Sequence, residues 1–218
     1  MIENFKDDLK PNFISDKKLL AKIWTSPREV FQFLNTYKYD KHVNTLLILA
    51  GIARSFDRAS SKNMGNNFSL WGIIAFCIIG GALFGWITYY LYAALISWTG
   101  KWLNGKGNTD SILRVLSFAL LPSIVSLVFL IPQILVYGNE IFKSEGDISN
   151  GGIVSNIIVY SSIVLEFVLG IWTFVLCVIA ISEAQQLSIG KSILNVLLPA
   201  IIFVAIILTI VLIVNGFN

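Results

Sequence analysis

Hydrophobic and polar positions divide the chain into two unlike parts. Through residue 42 they mix at helical spacing, and from residue 43 onward apolar runs dominate, separated by polar loops. Leu19, Leu20, Ile23 and Trp24 recur at helical intervals with Lys17, Lys18 and Lys22 among them, the pattern of a helix lying on a membrane face. Thr25-Ser26-Pro27-Arg28-Glu29 predicts the start of a second helix. Ser26 suits the cap, Pro27 the first position, where no amide hydrogen is needed, and Glu29 the closing of a capping box. Val30, Phe31, Leu34 and Tyr37 then make one apolar face. That face fits a cytosolic helix packed on the bundle and an interfacial anchor equally well.

Five apolar segments follow. Val43–Ala53 is too short for a comfortable crossing, which takes about 20 apolar residues. It reads as a re-entrant, tilted or marginal span, with Arg54, Arg58 and Lys62 in a polar connection reaching Asn67. The others are Ser69–Trp98, Ile112–Tyr137, Ile153–Ile181 and Ile193–Val214. Gly81 and Gly85 form a GxxxG face on the longest run, suited to close packing within the chain or to a homo-oligomer. Pro122, Pro132 and Pro199 interrupt spans as hinges or kinks, which neighbours can satisfy.

The chain also repeats itself. Ser111-Ile112-Leu113-Arg114-Val115-Leu116 is echoed by Ser192-Ile193-Leu194-Asn195-Val196-Leu197, each with a Gly-Lys pair upstream and a proline further in. Gly85, Thr88, Leu91, Ile96 and Ser97 match Gly170, Thr173, Leu176, Ile181 and Ser182 at a constant offset of 85. Two tandem helical hairpins of the same orientation follow, Ser69–Tyr137 and Ile153–Val214, related by a pseudo-two-fold axis along the membrane normal. The fold expected is an all-α membrane bundle preceded by amphipathic helices.

Composition strengthens this picture. Hydrophobic residues are 56% of the 218 and charged residues 13%, about half the share of an ordinary soluble domain. Eight of the 16 basic residues precede residue 43, which predicts a cytoplasmic N-terminus. The charged Met1–Lys10 stretch lacks an apolar core, so no cleaved signal is expected. The positive-inside balance does not decide whether Val43–Ala53 crosses. Cys77 and Cys177 sit inside apolar segments as small core residues.

Candidate chemistry is sparse. Gly100 to Gly107 falls one residue short of a phosphate-binding loop, because Gly107 stands where a serine or threonine is needed and a span precedes it. Glu166 is the one carboxylate near mid-span, with Thr88, Ser123 and Ser126 as partners at similar depth. It reads as a hydrogen-bonded packing group or as a proton or cation site. His42 is the only histidine, so no metal site is expected, and no catalytic set or cofactor motif appears. Asn67-Phe68-Ser69 abuts a span and reads as an incidental sequon. The basic N-terminus lacks the charge density of a nucleic-acid binder.

Ile23-Trp24-Thr25-Ser26-Pro27-Arg28-Glu29, Gly105-Lys106-Gly107 through Pro122, and Ile181-Ser182-Glu183-Ala184-Gln185 with Ser188-Ile189-Gly190-Lys191 together resemble the Yip-domain (Ypt/Rab-interacting protein) family, in its bacterial branch. The resemblance implies a five-segment domain over residues 43–214 behind a cytoplasmic region 1–42, with a short tail 215–218 on the far side. Eukaryotic relatives bind prenylated Rab GTPases. Here Ser69-Leu70-Trp71-Gly72-Ile73 and Ser117-Phe118-Ala119 depart from their motifs, which counts against a Rab-type partner. A non-enzymatic protein of a bacterial inner membrane is expected, organising lipid or protein partners through its cytoplasmic face. Trp24, Pro27, Arg28, Glu29, Lys106, Glu183 and Lys191 are the candidate partner-facing residues. The alternative is a small transporter or channel built on Glu166 and the proline-broken hairpins.

Overall fold

A computed structural model describes residues 16–148 and 152–216, so Lys6, Lys10 and the end of the 215–218 tail lie outside the described residues. The elements are α1 (Asp16–Lys22), α2 (Pro27–Thr36), α3 (Val43–Ser61), α4 (Leu70–Trp102), α5 (Thr109–Ala119), α6 (Leu121–Tyr137), α7 (Gly152–Gln185) and α8 (Ile189–Gly216). Short 3-10 turns occupy Met64–Asn66 and Gly138–Phe142, and no strand occurs among the described residues. Pro27 opens α2 as its missing amide predicts, but Ser26 makes no side-chain cap and the capping box does not form. The Glu29 carboxylate pairs with the Lys22 ammonium instead, since a charged donor outbids a backbone amide. Ser69 caps α4, its hydroxyl accepting from the Gly72 amide at 3.3 Å.

Four helical stretches are long and apolar enough to cross a membrane: α4, α5 with α6 through Phe142, α7, and α8 to Val214. The second breaks at Leu120, so that Pro122 falls in the first turn of α6, whereas Pro132 and Pro199 stay inside helices. Large apolar side chains such as Phe84, Phe167 and Leu212 face outward along these stretches. An apolar collar of that extent belongs in lipid, where burial in water is not what holds helices together.

The fifth segment runs longer than expected. α3 is one continuous 19-residue helix, about 28 Å long at 1.5 Å per residue, that carries Arg54, Asp57 and Arg58 as helical residues and not as a polar connection. It neither turns back nor reaches the apolarity of the four candidate spans. Ala50, Gly51, Ala53, Phe56 and Ala59 are buried on its inner side.

α3 also takes the GxxxG face. A Cβ at Gly51 would meet Gly81 O at 2.6 Å and Gly85 Cα at 2.7 Å, and a Cβ at Gly85 would meet Gly51 Cα at 2.3 Å. Backbones this close leave room only for glycine, and the Tyr89 hydroxyl locks the crossing by donating to the Ala50 carbonyl at 3.1 Å. A homo-oligomer through Gly81 and Gly85 therefore has no free glycine face, because this chain fills it.

α1 and α2 cap one end of the bundle. Leu19, Ile23, Val30, Phe31 and Leu34 are wholly buried in a cluster that includes Ile96, Ile112, Val115, Phe118 and Ile181. Of the two readings of these helices, packing on the bundle is the one that consumes their apolar faces. At roughly 2 kcal/mol per buried large side chain, that docking is a substantial part of the fold.

Candidate functional site

The capped end is built around a glutamine. Gln185, the last residue of α7, is fully buried; its Oε1 accepts from the Gly107 amide at 2.9 Å and its Nε2 donates to the Ile96 carbonyl at 3.1 Å. Its carbonyl accepts from the Lys106 amide at 3.0 Å. Three glycines make the space: a Cβ at Gly100 or Gly105 would fall 2.1 or 2.3 Å from the Gln185 side chain, and one at Gly107 would fall 2.7 Å from Ala184 O. Asn104 and Gln186 turn the two corners at φ 66° and 55°. The loop that looks like a phosphate cradle is filled by the protein's own amide.

Asn195 extends the knot, donating to Ile96 O at 3.1 Å and to Thr99 Oγ1 at 2.8 Å. Ser97 donates to Gly107 O at 3.3 Å and Ser182 to Leu187 O at 2.7 Å. Those acceptors stand two residues before α5 and α8 respectively, so matched serines of the repeat close matched corners.

The candidate partner-facing residues converge on this end in unequal states. Glu183 Oε1 lies 2.8 Å from Arg28 Nε, and Oε2 accepts from Gln32 at 3.1 Å, so Glu183 is a clamp holding α2 on α7. Pro27 is half-buried, and Trp24 is half-buried against the cap cluster. Arg28, Glu29, Lys106 and Lys191 are exposed. Two further clasps hold the N-terminal region down. Arg114 Nε and Nη2 fork onto Asp40 at 2.6 and 3.2 Å. Asp16 accepts from Tyr39 at 2.5 Å and Lys41 at 2.6 Å and lies 3.1 Å from His42 Nε2. The Lys41 ammonium, then Tyr39 and His42, hold the Asp16 carboxyl well below the usual range. Burial and the Asp16 charge push Tyr39 up to about 12.

Glu166 belongs to a second site, nearer the opposite end. A cavity of about 330 Å³ is lined by Glu166, Ser123, Ser126 and Gln133, as well as by Asp57 of α3. The Gln133 amide donates to Glu166 Oε1 at 2.6 Å. Ser126 turns inward on the Ser123 carbonyl. Thr88 is not part of it and lines a cleft on the other face of α3.

Sequence reading missed Gln185, Asn195, Asp40 and Asp57 as bonded or lining groups. The spacing of Gly100, Gly105 and Gly107 carried a signal for Gln185, since three glycines in one corner need something to approach them closely. Asp57 carried none once its segment was read as a loop.

The family model for the Yip1 domain matches residues 21–212, from α1 nearly to the end of α8. No curated protein and no solved structure gives a significant match. A match over almost the whole chain shows the family: the protein belongs to the Yip1-domain family, as an integral membrane bundle.

Proposed function

From that membership, we propose that this protein is a non-enzymatic membrane scaffold whose capped end docks a protein partner. The supporting observation is the convergence of α2, the 103–108 loop and the α7–α8 corner on one end. The Gln185 knot and the Arg28–Glu183 contact interlock them. Lys106 and Lys191 stand exposed on the two corners so fixed. In this reading the capped end faces the cytoplasm of a bacterial cell, at the inner membrane, and the partner is not a Rab-type GTPase. The buried residues of the cap hold the surface in shape, and the exposed lysines meet the partner.

The test purifies the full chain from its own membrane with its bound proteins. Lys106→Glu combined with Lys191→Glu is expected to lose a co-purifying protein at unchanged thermal stability. Glu183→Ala is expected to lose the same protein by freeing α2, with a lower melting temperature. If both variants keep every partner, the docking reading fails.

A second reading rests on the cavity beside α3. Glu166, Asp57 and the two serines would form the polar step of a permeation path in a small transporter. In proteoliposomes, flux of protons or small cations that is present in the wild type and absent in Glu166→Gln supports this reading. No flux in the wild type removes it.

A further inference from the structure

The opposite face of α3 carries chemistry that neither reading uses. Arg54, Arg58 and Lys62 recur every four residues, about 6 Å apart along one side of the helix. All three are exposed, and among the described residues none stands in a salt bridge. The one acid of α3, Asp57, lines the Glu166 cavity on the other face, and of the three cations Arg54 acts on it. The three cations border a cleft of about 470 Å³ between α3 and α4. Gly80 contributes open space to it, since a Cβ there would meet no atom within 4 Å. Phe76 and Phe84 line the same cleft, and both are more than 60% exposed on a helix apolar enough to span a membrane.

Cations beside lipid-exposed phenyl rings are costly unless an anion accompanies them. The occupant must therefore supply negative charge at the Arg54–Lys62 file and hydrocarbon along Phe76 and Phe84. We propose that this cleft binds one anionic phospholipid, its phosphate on Arg58 and Lys62 and an acyl chain over Gly80 between the two phenyl rings. Free phosphate answers only the cations, and a neutral lipid answers only the rings. Each cation near anionic lipid adds about 1 kcal/mol, or about fivefold in affinity. The proposal is independent of protein docking at the capped end, which lies at the other end of α3.

The experiment reads lipid retained by the purified full chain in native mass spectra after exposure to dioleoyl phosphatidylglycerol or dioleoyl phosphatidylcholine. Wild type is expected to retain phosphatidylglycerol in preference. Lys62→Gln is expected to lower that retention about fivefold and Arg58→Gln with Lys62→Gln about twenty-five-fold, the product of two such losses. Gly80→Leu keeps every charge and fills the open groove, and is expected to lower retention of the same lipid. Lys17→Gln with Lys18→Gln, which removes two charges at the cap, should leave it unchanged. Equal retention of the two lipids, unchanged retention in the Arg58/Lys62 or Gly80 variants, or displacement of the lipid by millimolar inorganic phosphate overturns the proposal.

Discussion

At the scale of single residues, the capped end depends on side chains whose neighbours leave no slack. A methyl group at Gly105 must displace either the Gln185 amide or the Gly100 carbonyl, which stands 2.9 Å from the new atom. Gln185 is enclosed and bonded at both ends, so it yields only by giving up those bonds. Gly105→Ala is expected to cost about 1–3 kcal/mol. Gln185→Ala is expected to cost a similar amount, about 1–3 kcal/mol, because it strands the Gly107 amide in a dry site. The double variant should lose less than the sum, since the added methyl occupies vacated space. Thermal unfolding in detergent measures all three, with Gly170→Ala as control because nothing lies within 4 Å of its added carbon. Asp16 gives the complementary pH prediction. Its folded-state value is depressed, so its contribution is present above the unfolded carboxyl range near pH 4 and fades as pH falls below it. Tyr39 is raised, so its contribution is intact below about pH 10 and fades as pH rises toward 12. Protection factors of the α1 amides, corrected for the intrinsic pH dependence of exchange, should therefore fall at both extremes, and Asp16→Asn should remove the acid limb.

Helices bring a different economy, in which two backbones touch and no side chain intervenes. A Cβ at Gly85 would collide with Gly51 Cα, which cannot rotate away, so α3 and α4 must separate along their length. Gly85→Ala is expected to lower stability by about 1–3 kcal/mol at an unchanged mass in detergent. A dimer that dissociates while the melting temperature holds would contradict packing within the chain. The same crossing explains what sequence could and could not reveal. Apolar runs predicted α4, α7 and α8 to within a few residues, because a span's length and hydropathy are local properties. A hydropathy count ends α3 at Ala53, because Arg54, Asp57 and Arg58 look like a loop to it. Only the periodic Ala50, Ala53, Phe56 and Ala59 betray a helix with two polar faces and one buried one. A helix cut short there leaves Asp57 out of the cavity that it lines. Thr88 shares the depth of Glu166, but its face of α4 turns to the basic cleft. Glu166, Ser123 and Ser126 line one cavity, where depth and face agree.

On the scale of the whole molecule, the two hairpins share their corners and differ in their surroundings. Ser97 and Ser182 make the same bond to the same point of each turn. Arg114 and Asn195 occupy matched positions yet do opposite work, Asn195 closing the knot between hairpins and Arg114 reaching out to Asp40. The asymmetry follows from the N-terminal helices, which dock on one side only and need an anchor there. α3, which has no counterpart in the second hairpin, joins the two ends. Its far terminus is tied to the turn after α6, where Asn66 Nδ2 donates to Ser144 Oγ at 3.0 Å and Asn139 to Gly65 O at 3.0 Å. Those bonds put the Lys62 end of α3 at the same end of the bundle as the 139–144 turn, opposite Lys106 and Lys191. In a chain whose Cys77 and Cys177 are replaced, single cysteines at Lys62 and Glu145 should react with an impermeant maleimide from one side of the membrane. Cysteines at Lys106 and Lys191 should react only from the other. A helix that turned back would put Lys62 with Lys106, so labelling of those two from one side would overturn the end-to-end course of α3. The course matters for function. The basic cleft and the Glu166 cavity lie on two faces of α3, and both are placed at membrane depth only if that helix runs from the cap to the far end.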